Sequence, residues 1–217
     1  PVKRSRKSLR LSLRNIGYQC RIGSSALLGE ATLATLMFVG NQVFMRYLGD
    51  DGVGAFGIGC YYIPFVFMVG ISYNFGTGNL NRVARTGKVA LITAMGCGVT
   101  VMAVFAGAPD LLVGLFLDPD TVAARIAIAG FPYFATGFVF FITNLACIGY
   151  YQSLEQVRPA TAFALLRGFV LLIPSFILLP VWLGVAGIWL AMPLSEMFTT
   201  VVILGFYFSR RIKLKRL

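Results

Sequence analysis

The chain has 217 residues, of which 58% are hydrophobic and 12% are charged; soluble domains carry about 45–50% apolar and about 25% charged residues. This composition excludes a soluble globular domain and a disordered chain and indicates an integral membrane protein. The sequence contains no His, which excludes His-based catalysis and His-ligated metal sites, and its net charge of +11 lies in short runs between apolar blocks, a pattern of membrane topology rather than of nucleic-acid binding.

Residues 1–21 form a basic segment that we expect to lie in the cytoplasm. Leu9, Leu13 and Ile16 have the i, i+4, i+7 spacing of an apolar stripe, with Arg10 and Arg14 between them. The segment is predicted either as an amphipathic helix on an anionic inner leaflet or as a disordered basic tail that only sets topology. It lacks the apolar core and cleavage site of a signal peptide, and because the sequence starts at Pro1 we expect the natural start to lie upstream.

Six apolar blocks follow, each long enough to cross a bilayer as a helix of about 20 residues. They predict an all-α bundle of six transmembrane helices over residues 22–208, followed by a basic cytoplasmic tail at 209–217. Ala108-Pro109 ends the third span, and LLVGLF after it is expected to be a short interfacial or re-entrant piece. The predicted spans lie near residues 22–47, 55–75, 89–108, 126–151, 160–179 and 187–207.

The distribution of Lys and Arg predicts the orientation of these spans. With the N-terminus inside, 17 of the 19 basic residues fall on the cytoplasmic side, and only Arg46 and Arg125 fall outside. Five of the eight acidic residues lie on the outer connections. Because cytoplasmic loops are enriched in Lys and Arg, this asymmetry predicts a multi-pass protein of the plasma membrane, with both ends of the segment in the cytoplasm.

Glu30 is an acid at membrane depth in the first span. Such a residue costs about 2.5–3.5 kcal/mol on insertion scales, so it usually faces a cavity or has a partner. Because hydrocarbon disfavours a charged carboxylate, Glu30 could bind and release H⁺ near neutral pH, or it could coordinate Na⁺ with nearby oxygens. Met37 and Asn41 lie seven and eleven residues later on the same face. We predict a coupling-ion site at Glu30 and Asn41, with Met37 beside the substrate path; the alternative is a structural, permanently protonated Glu.

Glu196, in the last span, is the second acid at membrane depth. Its neighbours Ser195 and Thr199 could satisfy it locally, so it is a secondary candidate for ion binding. Arg167 in the fifth span is expected to be structural and to snorkel toward the cytoplasm. The four cysteines lie far apart without a CxxC pair and are expected to be inert packing residues: Cys20, Cys60, Cys97 and Cys147.

The fourth span carries Tyr133, Phe140 and Asn144 with i, i+7, i+11 spacing, which predicts one face with an aromatic wall and a lone amide. Such a wall suits flat, lipophilic, cationic compounds, because the rings offer apolar area and cation–π attraction. Tyr61 in the second span is a further candidate for the substrate cleft. The alternative for all of these residues is ordinary helix packing, in which the Asn bonds across an interface.

Four segments carry a family resemblance: GVGAFGIGCYYIPFVFM at 52–68, ISYNFGTGNLNRV at 71–83, YYQSLEQVRPATAFALLRGFVLLIPSFILLP at 150–180 and GVAGIWLAMPLSEMFT at 184–199. In this order they resemble the eighth helix, the segment after it, the connection between the tenth and eleventh helices and the start of the twelfth helix in the multidrug and toxic compound extrusion (MATE) family. The resemblance covers essentially the whole chain.

The resemblance implies that the chain is the C-terminal six-helix lobe, spans seven to twelve, of a twelve-helix antiporter in a bacterial inner membrane. Such proteins expel small cationic or amphipathic substrates in exchange for Na⁺ or H⁺, without a cofactor, and the N-terminal six-helix lobe is the implied partner. Glu30 falls where the seventh helix of the family carries an acid that faces the central cleft. The chain departs from the pattern in two ways. Asn144 is the only comparable residue where some members carry an acid. About a dozen residues of the pattern have no counterpart after Gly70, either because they are deleted in this chain or because the given sequence omits them.

Two other functions stay open from the sequence. A flippase for lipid-linked precursors would favour a large basic cavity, which no Lys or Arg at membrane depth supports. A non-transporting membrane scaffold, or a decayed half-transporter, would agree with the gap after Gly70 and with the missing first lobe. We do not expect an enzyme, because the spans carry no His, no paired carboxylates and no nucleophile elbow.

Overall fold

The computed structural model describes residues 13–71, 80–154 and 156–215, which are helical apart from short connections. The predictions for residues 1–12 and for residues 72–79, next to the gap after Gly70, lie outside the described residues. The all-α fold class is confirmed for the part of the chain that is described. Its helices are α1 (Leu13–Ile71), α2 (Leu80–Gly107), α3 (Pro109–Gly114), α4 (Val122–Ala135), α5 (Phe138–Ser153), α6 (Val157–Leu165), a π-helical segment (Leu166–Leu171), α7 (Leu172–Leu183) and α8 (Val185–Lys215).

Helix α1 consists of two helices joined at Gly49. This residue has φ +65° and ψ −159°, a conformation that is essentially restricted to glycine. The rings of Phe44 and Phe56 stack with centroids 4.5 Å apart, although a straight helix would separate residues twelve positions apart by about 18 Å. The chain therefore reverses direction at Gly49, and α1 supplies the first two predicted spans.

The fourth predicted span is a bent pair of helices rather than one helix. Helices α4 and α5 meet at an angle of 52° across Thr136 and Gly137. Pro132, about one turn earlier, has no backbone N–H to donate to the helix ladder. At the bend Gly137 lies against α8, where an added Cβ would come within 2.9 Å of the Pro193 Cα atom.

The fifth and sixth spans form a close hairpin. The fifth span is built from α6, the π-helical segment and α7, and the sixth span is α8. Gly184 joins them with φ +58°, which favours glycine. Gly187 then lies so close to α7 that an added Cβ would come within 2.5 Å of the Leu179 carbonyl carbon. Because Gly187 has no side chain, its backbone can pack directly against the backbone of α7.

Four helices and one bent pair of the described chain are long and apolar enough to cross a membrane. The first of them, Leu27–Ile63, reverses at Gly49, so these helices are compatible with the six predicted crossings. The short helix α3 follows the break at Ala108-Pro109, and its interfacial or re-entrant placement stays a prediction. Leu48, Val122 and Val185 line one cavity, which places the first, third and fifth connections at the same end of the bundle.

An aromatic cluster forms the centre of the bundle. The Trp189 indole packs edge-on against the Phe44 ring with centroids 4.8 Å apart, and it lies directly over Gly130 of α4. Phe105, Phe131 and Phe138 continue the cluster toward α2 and α5. These buried rings come from the first, third, fourth and sixth predicted spans, and a second buried cluster joins α5, α6 and α8.

Candidate functional site

The first half of α1 presents Glu30 on an exposed face. Met37, 47% exposed, and the exposed Asn41 share that face, as the helical spacing predicts. Thr32 and Leu36 lie on the opposite side of the helix and are buried. Among the described residues, none forms an ion pair or a hydrogen bond with the Glu30 carboxylate. An acid at membrane depth therefore points away from the core of this lobe.

Glu196 has the opposite environment, because its carboxylate is buried in a network that joins three crossings. Its Oε1 accepts hydrogen bonds from Arg167 Nε at 3.0 Å and Arg167 Nη2 at 2.6 Å. Its Oε2 accepts a hydrogen bond from Asn144 Nδ2 at 2.7 Å. The Asn144 Oδ1 in turn accepts from the Thr200 hydroxyl at 2.9 Å. The network thus ties α5 and the π-helical segment to α8.

The charge of Arg167 is also satisfied from a second direction. Its guanidinium carbon lies 4.6 Å from the centroid of the Phe141 ring, a cation–π geometry. Both charged side chains of the Arg167–Glu196 ion pair are nearly inaccessible to solvent. Buried charges are tolerated only when each is paired and hydrogen-bonded, and both conditions are met here. The pair therefore serves as a fixed, charged link between the fifth and sixth spans.

Two sequence expectations about this region are wrong. Arg167 does not snorkel toward the cytoplasm, because Glu196 on the adjacent span offers a nearer partner. Ser195 and Thr199 do not satisfy Glu196; their hydroxyls donate to the Met192 and Ser195 carbonyl oxygens of their own helix. With both carboxylate oxygens already bonded, Glu196 has no free oxygen aimed at a solvent-accessible ion.

The predicted aromatic face of the fourth span does not exist as a single face. Tyr133 is 47% exposed, Phe140 is half-buried, and Asn144 is fully buried. The 52° bend between α4 and α5 lies between Tyr133 and the other two residues, so spacing along a straight helix no longer relates them. Asn144 is a member of the ion-pair network and not a residue of an open cleft.

Tyr133 lies 11 residues after Val122 and Tyr61 lies 12 residues after Gly49, so each is roughly 17 Å along its helix from the end that holds the first, third and fifth connections. Tyr133 borders a largely apolar cavity of about 510 Å³, together with Arg125 and Trp189. Tyr61 is 64% exposed, and its ring stacks on Phe116 with centroids 5.9 Å apart. Neither residue meets Glu30 or Asn144. Four free cysteines are scattered over the chain.

Sequence reasoning did not find the Arg167–Glu196 pair, although a signal was present. Arg167 lies 17 residues before the Gly184 reversal and Glu196 lies 12 residues after it. In an antiparallel hairpin these two positions differ in depth by about five residues, or roughly 7.5 Å, which a long Arg side chain can span. An acid and a base at similar depth in adjacent spans are each other's expected partner.

Comparison with known proteins gives one family match and several structural likenesses. The model of the MatE family matches residues 26–178. A curated relative, the probable multidrug resistance protein NorM of Pseudomonas aeruginosa, is 29% identical over 182 residues, which cover 74% of this chain and 36% of the relative.

Solved structures share the fold of this chain. An outward-facing multidrug resistance MATE transporter of the MOP superfamily has a TM-score of 0.82 and 16% identity, and the match covers 97% of this chain and 50% of the transporter. A MOP superfamily transporter from Pyrococcus furiosus has a TM-score of 0.81 and 16% identity, with coverage of 99% and 50%. The multidrug transporter DinF-BH has a TM-score of 0.77 and 22% identity, with coverage of 97% and 49%. The chain thus spans about half the length of these transporters.

Proposed function

The chain belongs to the MatE family, and we propose that it supplies one six-helix half of a cation-coupled multidrug antiporter. The family match covers residues 26–178, and the structural likenesses cover nearly all of this chain but only about half of each transporter. Alternating access requires two bundles that move about a shared site. We therefore propose a partner of similar size, the N-terminal lobe, that packs against the exposed face of α1.

We propose that the coupling ion binds at Glu30, because the two acids at membrane depth have different environments. Glu196 already accepts hydrogen bonds from Arg167 and Asn144 on both of its oxygens. Glu30 is exposed on α1, and no described residue neutralises it. A carboxylate that is free of a resident cation can exchange Na⁺ or H⁺, whereas one held by a buried guanidinium cannot. This contrast carries the proposal.

Asn41 is assigned a different role from Glu30, although both lie on one face. Eleven residues of helix separate them, which corresponds to about 16 Å along the axis. One ion bound at Glu30 would therefore not reach Asn41, and further ligands would come from the partner half. Met37 and Asn41 instead continue the face as an apolar and an amide contact for a small amphipathic or cationic substrate.

The test is efflux of a cationic dye from cells that express the full-length gene, native or with Glu30→Gln, with and without a Na⁺ gradient. The substitution keeps size and hydrogen bonding but removes titration and charge, so we expect ion-driven efflux to fall to the background while membrane expression is unchanged. Asp51→Asn, which removes an acid at the exposed outer connection, is the matched control and should keep native efflux. The dependence of native efflux on the Na⁺ gradient or on the proton gradient identifies the ion.

Unchanged efflux in Glu30→Gln would contradict the coupling role, and a native gene that moves no dye would favour the scaffold. The flippase alternative gains no support from the described residues. The buried cation Arg167 is neutralised by Glu196 and is nearly inaccessible to solvent. We propose that the complete transporter acts in a bacterial inner membrane, with the outer connections facing away from the cytoplasm.

A further inference from the structure

A close contact joins α1 to the π-helical segment, two residues beyond Glu30. Thr32 is buried, and its hydroxyl donates to the Leu28 carbonyl oxygen at 2.9 Å and lies 3.5 Å from the Ala164 carbonyl oxygen. A Cβ added to Gly168 would overlap the Thr32 hydroxyl and would lie 2.8 Å from its Cβ and 2.9 Å from its methyl carbon. Helix α1 can therefore occupy its observed position only because residue 168 has no side chain.

The ion pair fixes the other side of the π-helical segment. Arg167 precedes Gly168, and its guanidinium is held by Glu196 and by the face of the Phe141 ring. Adjacent helical residues project in directions roughly a quarter-turn apart. The orientation that directs Arg167 toward Glu196 thus also directs Gly168 toward α1. Because a buried ion pair is costly to separate in an apolar interior, the segment is a rigid support for Thr32.

Any displacement of α1 at Thr32 also moves Glu30, because the two residues belong to one uninterrupted stretch of helix. An ion-binding carboxylate must be held within about 0.5 Å of its productive position. We propose that Thr32 and Gly168 are positioning residues for the coupling ion at Glu30, with the Arg167–Glu196 pair as their fixed base. This inference rests on the proposed coupling role of Glu30 and adds the contact that sets its location.

Three variants of the complete transporter isolate the contact. Gly168→Ala introduces the overlapping Cβ, and Gly168→Ala combined with Thr32→Ala removes two of the three atoms that the new Cβ would meet. Gly96→Ala is the matched control, because it makes the same change in a helix where an added Cβ meets nothing within 4 Å. All three keep the ion pair and the Glu30 carboxylate.

Two measurements are made on each variant. In proteoliposomes, Gly168→Ala should change the Na⁺ or H⁺ concentration for half-maximal dye transport by roughly 2- to 30-fold, the range for residues that modulate coupling. The double variant should return toward the native value, and Gly96→Ala should stay within about twofold, a difference of about 0.4 kcal/mol. Spin labels at Leu27→Cys and Val170→Cys, both at exposed positions, should report a shift of α1 in Gly168→Ala alone.

Glu30→Gln in the same liposomes separates this inference from the proposed function. If Glu30→Gln leaves the ion dependence unchanged, the proposed function fails. If Glu30→Gln abolishes coupling while Gly168→Ala behaves like Gly96→Ala, the positioning role alone is wrong. A shift in label distance without a change in ion dependence also overturns the inference, because the contact would then contribute only packing.

Discussion

At the residue scale, the Arg167–Glu196 pair should contribute strongly to stability once one partner is removed. Arg167→Met leaves the Glu196 carboxylate buried without its cation, so we expect a loss of about 3–5 kcal/mol in the free energy of unfolding. The measurement is denaturant unfolding of the detergent-solubilised protein, followed by the fluorescence of the buried Trp189. Arg125→Met, at an exposed cation outside the network, is the control and should be close to neutral.

The double variant Arg167→Met with Glu196→Met gives the decisive comparison. Apolar replacement of a whole buried pair is often neutral or stabilising, so this variant should be clearly more stable than Arg167→Met alone. If both variants unfold at the same denaturant concentration, the pair has no net coupling and its structural role is contradicted.

The two acids at membrane depth show how far residue-level prediction reached. Sequence depth and spacing placed Glu30, Met37 and Asn41 on one face, and the structure has them there. The same reasoning expected Ser195 and Thr199 to hydrogen-bond Glu196, because only neighbours on the same helix were considered. Its partners come from two other spans, and their identity depends on hairpin register, which a single sequence specifies only loosely.

At the element scale, we expect a side chain at Gly49 to destabilise the chain reversal. Its φ of +65° with ψ of −159° costs a non-glycine residue about 1–3 kcal/mol. We therefore expect Gly49→Ala to lower the free energy of unfolding by that amount, measured by the same denaturant titration. Gly57→Ala lies in the same element, where an added Cβ meets nothing within 4 Å, and it should be neutral or slightly stabilising. If Gly49→Ala and Gly57→Ala are equally stable, an alanine at position 49 adds no backbone strain and the prediction is wrong.

Helix irregularities were the elements that sequence patterns described least well. The helices are compatible with one crossing for each of the six apolar blocks, because a bilayer requires about 20 apolar residues in each span. Periodicity assumes a straight helix, however, and the bend between α4 and α5 separates Tyr133 from Asn144. Pro132 signalled a possible bend, but the angle depends on how Gly137 packs against Pro193 of another span. The π-helical segment had no comparable sequence signal.

At the scale of the whole molecule, the helical membrane fold was predictable because the hydrocarbon core of a bilayer restricts which backbone structures can form. Hydrocarbon requires every backbone polar group to bond within its own segment, so apolar blocks become helices almost regardless of detail. Which helices contact one another follows from the short connections and from side-chain complementarity, such as that of Trp189 with Gly130. The proposed partner half and the ion ligands it would supply are not specified by any pattern in these residues.

Membrane orientation is the remaining prediction at this scale, and it rests on charge rather than on packing. The cavity beside Leu48, Val122 and Val185 shows that the first, third and fifth connections share one end of the bundle. Those connections carry few Lys and Arg, whereas Lys88 and Arg158 lie on the second and fourth. Under the positive-inside rule the shared end should face away from the cytoplasm.

Single cysteines in a variant that lacks the four native ones can test this orientation. Asp51→Cys and Asp120→Cys lie at the shared end and are exposed, so a membrane-impermeant maleimide should label both in intact cells. Arg158→Cys, also exposed, lies at the opposite end and should react only after the membrane is permeabilised. Labelling of Arg158→Cys in intact cells, with Asp51→Cys protected, would invert the topology. The first span, which carries Glu30, would then begin at the outer face of the membrane.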